Sequence, residues 1–147
     1  MYSFTLFSLH IILLITLVRL SYVDWNTRRI SNASIVSLLI LAILWLYLKQ
    51  RPFEVHLLSS CLGFILFFAL RKIFTRLKKT SALGWGDVKL FSVLCLFLMP
   101  ENFGAFCLWS GILGIITNIF WKKDLPFPFA PAISLAFGII FWLKTLF

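Results

Sequence analysis

Six apolar runs divide the chain, at approximately Phe4–Val23, Ala33–Leu48, Phe53–Leu70, Val88–Met99, Phe103–Trp121 and Ala130–Leu143. A helix that crosses a bilayer needs ~20 apolar residues, and ~17 at the least. The first, third and fifth runs meet that length, and the second and sixth meet it once interfacial residues are added. The fourth falls short, so it spans only where the bilayer thins or where its ends lie inside the bundle. No run alternates polar with apolar positions, which speaks against a barrel of strands. The pattern predicts an all-α integral membrane protein: a bundle of about six transmembrane helices in a single domain over 1–147. The first run follows no basic segment and ends in no small-residue cleavage site, so it reads as a spanning helix rather than a signal peptide.

Composition agrees with that picture. Hydrophobic residues make up 61% of the 147 and charged residues 13%, where a soluble domain carries ~25% charged. The net charge of +9 invites a nucleic-acid partner, but the basic residues lie between apolar runs and no nucleic-acid motif accompanies them, so none is expected. Membrane lipid is the expected surrounding.

Their placement sets a topology instead. Arg19, Arg28, Arg29, Arg71, Lys72, Arg76, Lys78, Lys79, Lys89, Lys122 and Lys123 flank or fill the odd-numbered loops, against Lys49 and Arg51 in the even ones and Lys144 near the end. The odd loops are thereby expected on the cytoplasmic side and both termini on the extracytoplasmic side. The longest polar stretch, Arg71–Gly86, reads as a basic cytoplasmic loop. Cys61, Cys95 and Cys107 form no CxxC pair, and His10 and His56 stand alone. All five read as packed or interfacial residues, with no metal site or cofactor expected. Gly63, Gly104, Gly111, Gly114 and Gly138 predict close helix contacts.

The candidate chemistry lies in the acids, of which there are 5. Glu54 and Glu101 fall in outer loops, and Asp124 follows Lys122 and Lys123 as a solvated ion pair. Asp24, in "LSYVDWNTRRISN", ends the first run, and Asp87, in "GWGDVKLF", starts the fourth. Both lie at one membrane face. Two carboxylates ~3 Å apart cannot both ionise easily, so a pair brought together shares a proton. One member can then take a proton from water while the other polarises a peptide carbonyl. A plainer account also fits these residues: Asp87 caps a helix N-terminus, and Asp24 pairs with Arg28 or Arg29. Gly84 and Gly86 bracket Trp85, giving room for an approaching backbone or simply a tight turn. Paired aspartates also suit a small ion- or proton-coupled transporter, although neither midplane charges nor related halves are evident.

Taken together, "GWGDVKL" resembles the GxGD signature of type IV prepilin peptidases, a family of membrane aspartyl proteases. "DWNTRRISN" is similar to the family's first aspartate segment, and "FPFAPAISLAFG" to its Pro-Phe-Gly/Ala-Pro turn into the last helix. The three segments come in family order, the six-helix layout agrees, and the resemblance covers essentially the whole chain. The resemblance implies catalytic aspartates at Asp24 and Asp87, a loop around the second shaped by Gly84 and Gly86, and at most a structural role for Pro128, Ala130 and Pro131. Ser31 stands where the family usually has proline, so the turn after Asp24 is less rigid, with Ser31 or Asn32 left to cap the next helix.

The implied substrate is a prepilin or pseudopilin with a short basic leader and a hydrophobic N-terminal helix, cut at the cytoplasmic face of the bacterial inner membrane. A basic leader should be repelled by Arg28, Arg29 and the Arg71–Lys79 cluster, which is assigned mainly to topology and anionic lipid. Larger family members carry an additional N-terminal region linked to N-methylation. The chain resembles the short, peptidase-only form of tight-adherence (Flp) pilus systems, for which methyl transfer is not expected. A noncatalytic scaffold of a pilus assembly machine is the other reading, and it would be expected to lack one of the aspartates.

Overall fold

A computed structural model describes residues 2–78, 83–119 and 128–146. Six helices follow one another: α1 (Tyr2–Thr27), α2 (Asn32–Leu48), α3 (Phe53–Lys78), α4 (Trp85–Cys95), α5 (Pro100–Ile119) and α6 (Ala130–Leu146). Among the described residues there is no strand. Phe4–Thr27, Phe53–Arg76 and Pro100–Ile119 are long and apolar enough to cross a membrane, with mean hydropathies of 2.0, 1.9 and 1.4, and α2 and α6 are shorter apolar helices. The chain is an all-α membrane protein.

Local sequence explains the boundaries. No proline or glycine interrupts Tyr2–Thr27, so the hydrogen-bond ladder of α1 runs unbroken for 26 residues, about 39 Å at ~1.5 Å each. It ends where Arg28 turns left-handed, at φ 55, while its N–H still reaches the Asp24 carbonyl at 2.8 Å. After α2 the chain turns at Gln50, φ 49, just ahead of Pro52, which cannot continue a helix. Pro100 opens α5, where its missing N–H costs nothing.

Each outer helix turns one apolar stripe inward and another outward. In α1, Leu13, Leu17 and Leu20 are buried together with Asp24, while Phe7, Ile11, Ile15, Val18 and Tyr22 are exposed, as lipid contact requires. Lipid tails are as apolar as leucine, so the bundle is held by close packing rather than by escape from water. The centre of that packing is α4. It has 11 residues, about 16 Å at ~1.5 Å each, too short to span. Val88, Leu90, Phe91, Leu94 and Cys95 on α4 are all buried, and so are Leu96–Leu98 just beyond it. Phe91 stacks between Phe67 of α3 and Phe106 of α5, at 3.7 and 4.4 Å between ring centres. Ser92 donates to the Ser60 carbonyl at 3.0 Å, satisfying a polar group inside the bundle.

Several expectations change. Arg71, Lys72 and Arg76 lie on α3, not in a loop, because arginine and lysine are good helix formers and the helix simply runs on past the apolar run. α4 begins at Trp85 rather than Val88, placing Asp87 inside its first turn. Ser31 does occupy the N-cap of α2, but its side chain makes no cap hydrogen bond. Asn32 instead accepts a hydrogen bond from Lys89 Nζ at 3.2 Å, which ties α2 to α4. Of the five glycines, Gly63 and Gly114 serve close approach: an added Cβ would lie 2.8 Å from Cys95 Sγ at Gly63 and would run into the Phe129 ring at Gly114. Gly104 and Gly111 have nothing within 4 Å. Cys61 is exposed on α3, whereas Cys95 is buried. The stretches 79–82 and 120–127, with Lys79, Trp121, Lys122, Lys123 and the expected ion pair of Asp124, lie outside the described residues.

Candidate active site

Asp24 sits on the last turn of α1, continuing the buried stripe of Leu13, Leu17 and Leu20, and is 4% exposed. Its Oδ2 accepts the backbone N–H of Ala130, the first residue of α6, at 3.2 Å. That N–H is one of the donors a helix start leaves unmet, and a carboxylate there also meets the positive end of the helix dipole. Asp24 of α1 therefore caps α6. The turn Pro128–Phe129–Ala130 delivers this donor, and Pro131, which follows, has none of its own.

Asp87 is the third residue of α4 and is 7% exposed. Its Oδ2 accepts the N–H of Gly84, the N-cap residue, at 2.9 Å. This is one arm of a capping box; the other arm cannot form, because glycine carries no side-chain oxygen. The capping account and the catalytic account of these acids are therefore compatible. Each carboxylate spends Oδ2 on a backbone donor.

Both carboxylates line one cavity of about 310 Å³, whose remaining wall is Arg28, Arg29, Ile30, Gly84, Trp85 and Gly86. The left-handed turn at Arg28 brings the α1–α2 connection across to meet the start of α4. Contact is closest at Gly86, where an added Cβ would stand 2.7 Å from Ile30 Cβ. At Gly84 it would stand 3.1 Å from Asp87 Oδ2. Neither glycine has a positive φ, so both are needed for space rather than for backbone angle. Gly86 lets the Asp24 segment pack on the Asp87 segment, and Gly84 leaves room beside the carboxylate.

The electrostatics couple the pair. Burial pushes the Asp87 carboxyl up from 3.8 to about 7, the charge of Asp24 raises it further within that shift, and the Gly84 N–H and Arg71 act against it. Arg71 reaches the site from α3, with its guanidinium 4.3 Å from the centre of the Trp85 ring. Among the described residues no group of three or more histidine, cysteine or acidic side chains converges. Asp24, Asp87, Gly84 and Gly86 thus come together at one cavity. Ala130, Ile30 and Arg71 join them without a clear sequence signal. The Pro-Phe-Ala-Pro turn hinted at a special helix start but not at its contact, and Arg71 looked like one more basic residue.

Known proteins resemble the chain over most of its length. The chain is 31% identical over 137 residues, 89% of its length, to a prepilin leader peptidase/N-methyltransferase from Haemophilus influenzae, and covers 58% of that protein. It is 26% identical to a type 4 prepilin-like proteins leader peptide-processing enzyme from Escherichia coli, covering 89% of this chain and 50% of that one. A prepilin leader peptidase/N-methyltransferase from Vibrio cholerae is 25% identical, with 95% of this chain and 56% of the relative covered. The chain thus spans between 50% and 58% of the length of these curated relatives. No solved structure matches. Residues 11–119, which hold both aspartates and the glycine loop, match the type IV leader peptidase family, and the chain belongs to it.

Proposed function

We propose that the chain is an aspartyl endopeptidase that removes the basic leader from a type IV prepilin or pseudopilin, with Asp24 and Asp87 as its catalytic pair. The observation that carries this reading is the shared cavity: two buried carboxylates, from separate helices, each with one oxygen fixed by a backbone N–H. The shift of Asp87 to about 7 supports a division of labour. Below about pH 7 the pair shares a proton and titrates as a unit, with the proton residing mainly on Asp87.

In the proposed reaction the ionised Asp24 takes a proton from water as its oxygen attacks the scissile carbonyl carbon. Protonated Asp87 gives its proton to the carbonyl oxygen. As the tetrahedral intermediate collapses, the C–N bond breaks, the proton on Asp24 passes to the leaving amine, and Asp87 recovers its own from the intermediate. This exchange of protons needs neither metal nor cofactor. Gly84 and Gly86 shape the loop along which the substrate backbone lies.

The substrate's hydrophobic helix stands in the membrane and presents its end to the cavity, so membrane confinement supplies part of the orientation. The distribution of basic residues supports a cavity facing the cytoplasm across the inner membrane, with both termini outside. Methyl transfer is no part of the proposed activity. The test is co-expression with a prepilin, reading leader loss as a gel shift, for wild type and for Asp24→Asn and Asp87→Asn, each checked for folding. The reading expects cleavage to be abolished in both; leader loss at the wild-type rate in a folded single variant overturns it.

A further inference from the structure

The end of the bundle away from the aspartates carries a second, unrelated cavity. His10 lies fourteen positions before Asp24 on α1, about 21 Å along the helix at ~1.5 Å per residue. Around His10, the end of α2 and the starts of α3 and α5 enclose about 380 Å³, with Trp45, Lys49, Arg51, His56 and Asn102 in the lining. Three observations distinguish this space from a packing gap.

Its depth is polar. Trp45 is 8% exposed, His56 1% and Asn102 9%. The indole Nε1 of Trp45 and the Nε2 of His10 are buried without a hydrogen-bond partner. The His56 ring lies beside the Leu96 and Leu98 carbonyls, which can accept from it. A buried polar group left unmet costs ~1–3 kcal/mol, so the indole and imidazole N of Trp45 and His10 on one cavity mark a place built to meet a polar group. Its mouth is cationic. Lys49 and Arg51, the basic residues of the α2–α3 connection, line it, and no carboxylate does. Glu54 and Glu101 lie in the first turns of α3 and α5, but both are exposed and neither is in the lining. The cavity also lies where α2 stops and α3 starts, at the end of two apolar helices on which Tyr47, Phe53 and Leu57 are exposed.

Two cations at the mouth and the Trp45 indole within select a phosphate-type anion, and the apolar flank favours one that carries a hydrocarbon tail. We propose that this cavity binds a phosphate group of net negative charge, presented by an anionic phospholipid headgroup or as free phosphate, through Lys49 and Arg51 at the mouth and the Trp45 indole N–H within. This site is independent of the catalytic pair, so its test does not depend on peptide cleavage.

The full-length protein, purified in a neutral detergent, is titrated with phosphatidylglycerol, phosphatidylcholine and inorganic phosphate. Binding is read by native mass spectrometry and by the shift in melting temperature. The expected result is that phosphatidylglycerol binds at least tenfold tighter than phosphatidylcholine and raises the melting temperature. Lys49→Gln/Arg51→Gln should remove that preference. Trp45→Phe, which keeps the ring but deletes the N–H, should weaken binding several-fold while leaving the lipid-free melting temperature unchanged or higher. Lys72→Gln/Arg76→Gln, at the other end of α3, should bind as wild type. Stabilisation by inorganic phosphate that is lost in Lys49→Gln/Arg51→Gln identifies free phosphate as a sufficient source; stabilisation by phosphatidylglycerol alone identifies the lipid. The proposal is overturned if wild type and Lys49→Gln/Arg51→Gln respond alike to every ligand, or if the preference is lost in Lys72→Gln/Arg76→Gln instead.

Discussion

Gly86 makes the sharpest test of how the two aspartate segments are held together. In Gly86→Ala the new methyl carbon would lie 2.7 Å from Ile30 Cβ and 3.2 Å from the Ile30 Cγ1 and Cδ1 atoms. Carbon atoms in contact sit at ~3.5–4.0 Å, so one segment must retreat by close to 1 Å. The nearest atom is Ile30 Cβ, fixed to the backbone, so a change of rotamer cannot relieve the clash. Overpacking of this kind costs ~1–3 kcal/mol. The effect on catalysis should exceed the effect on stability, because a misplacement of ~1 Å can lower a rate about 10²-fold. The assay is leader cleavage at saturating and limiting substrate, alongside melting temperature in detergent. Ile30→Gly supplies the second arm of a double-mutant cycle, since only glycine removes the offending Cβ. It should be impaired alone, yet the further loss on adding Gly86→Ala should be much smaller than in wild type, a favourable coupling of ~1 kcal/mol or more. Gly86→Ala with wild-type activity and stability would refute the reasoning, as would strictly additive effects of the two substitutions.

Other outcomes follow from the same geometry. Since protonated Asp87 is the proposed acid, activity is present below about 7 and lost as pH rises through that value; Arg71→Gln, by removing an influence that lowers Asp87, should move this alkaline limb of kcat/KM upward. Raising a carboxyl from 3.8 to about 7 means that folding favours its protonated form, so stability falls as pH climbs across that interval and stays reduced above it. Asp87→Asn escapes that penalty while keeping an oxygen for the Gly84 N–H, and should melt higher than wild type at pH ~8 while being inactive. Asp24→Asn retains an acceptor for the Ala130 N–H, whereas Asp24→Ala does not; both should be inactive, with the alanine variant less stable by ~1 kcal/mol on thermal unfolding. Gly63→Ala should destabilise by ~1–3 kcal/mol, and Cys95→Ala, which removes the sulfur 2.8 Å from the new methyl, should restore most of the loss in the same assay.

The sequence made the helical architecture plain, because long apolar runs without alternation admit few other folds. It also singled out Asp24 and Asp87, since acids are scarce and these two sit at run boundaries. It left open which way Asp24 points. An almost wholly apolar helix has no contrast between faces, and its buried stripe of Leu13, Leu17 and Leu20 looks like its exposed one. The extent of α3 was hidden for the opposite reason: Arg71, Lys72 and Arg76 end the apolar run but not the helix. Contacts between distant segments, such as Ile30 on Gly86 or Asp24 on Ala130, leave no local trace. The glycines were noticed, but their purpose depends on which atoms occupy the space a Cβ would fill.

The hydrogen bond from Ala130 to Asp24 makes one carboxylate serve two masters, the start of the final helix and the proposed chemistry. Natural drift at this position is therefore unevenly constrained. A copy of the protein released from selection for cleavage still needs an oxygen there to seat α6. Asparagine satisfies that need and alanine does not. Among descendants that have lost the reaction, an amide at position 24 would mark a chain preserved for its architecture, whereas an apolar residue there would mark one in which the seating of α6 has also been let go.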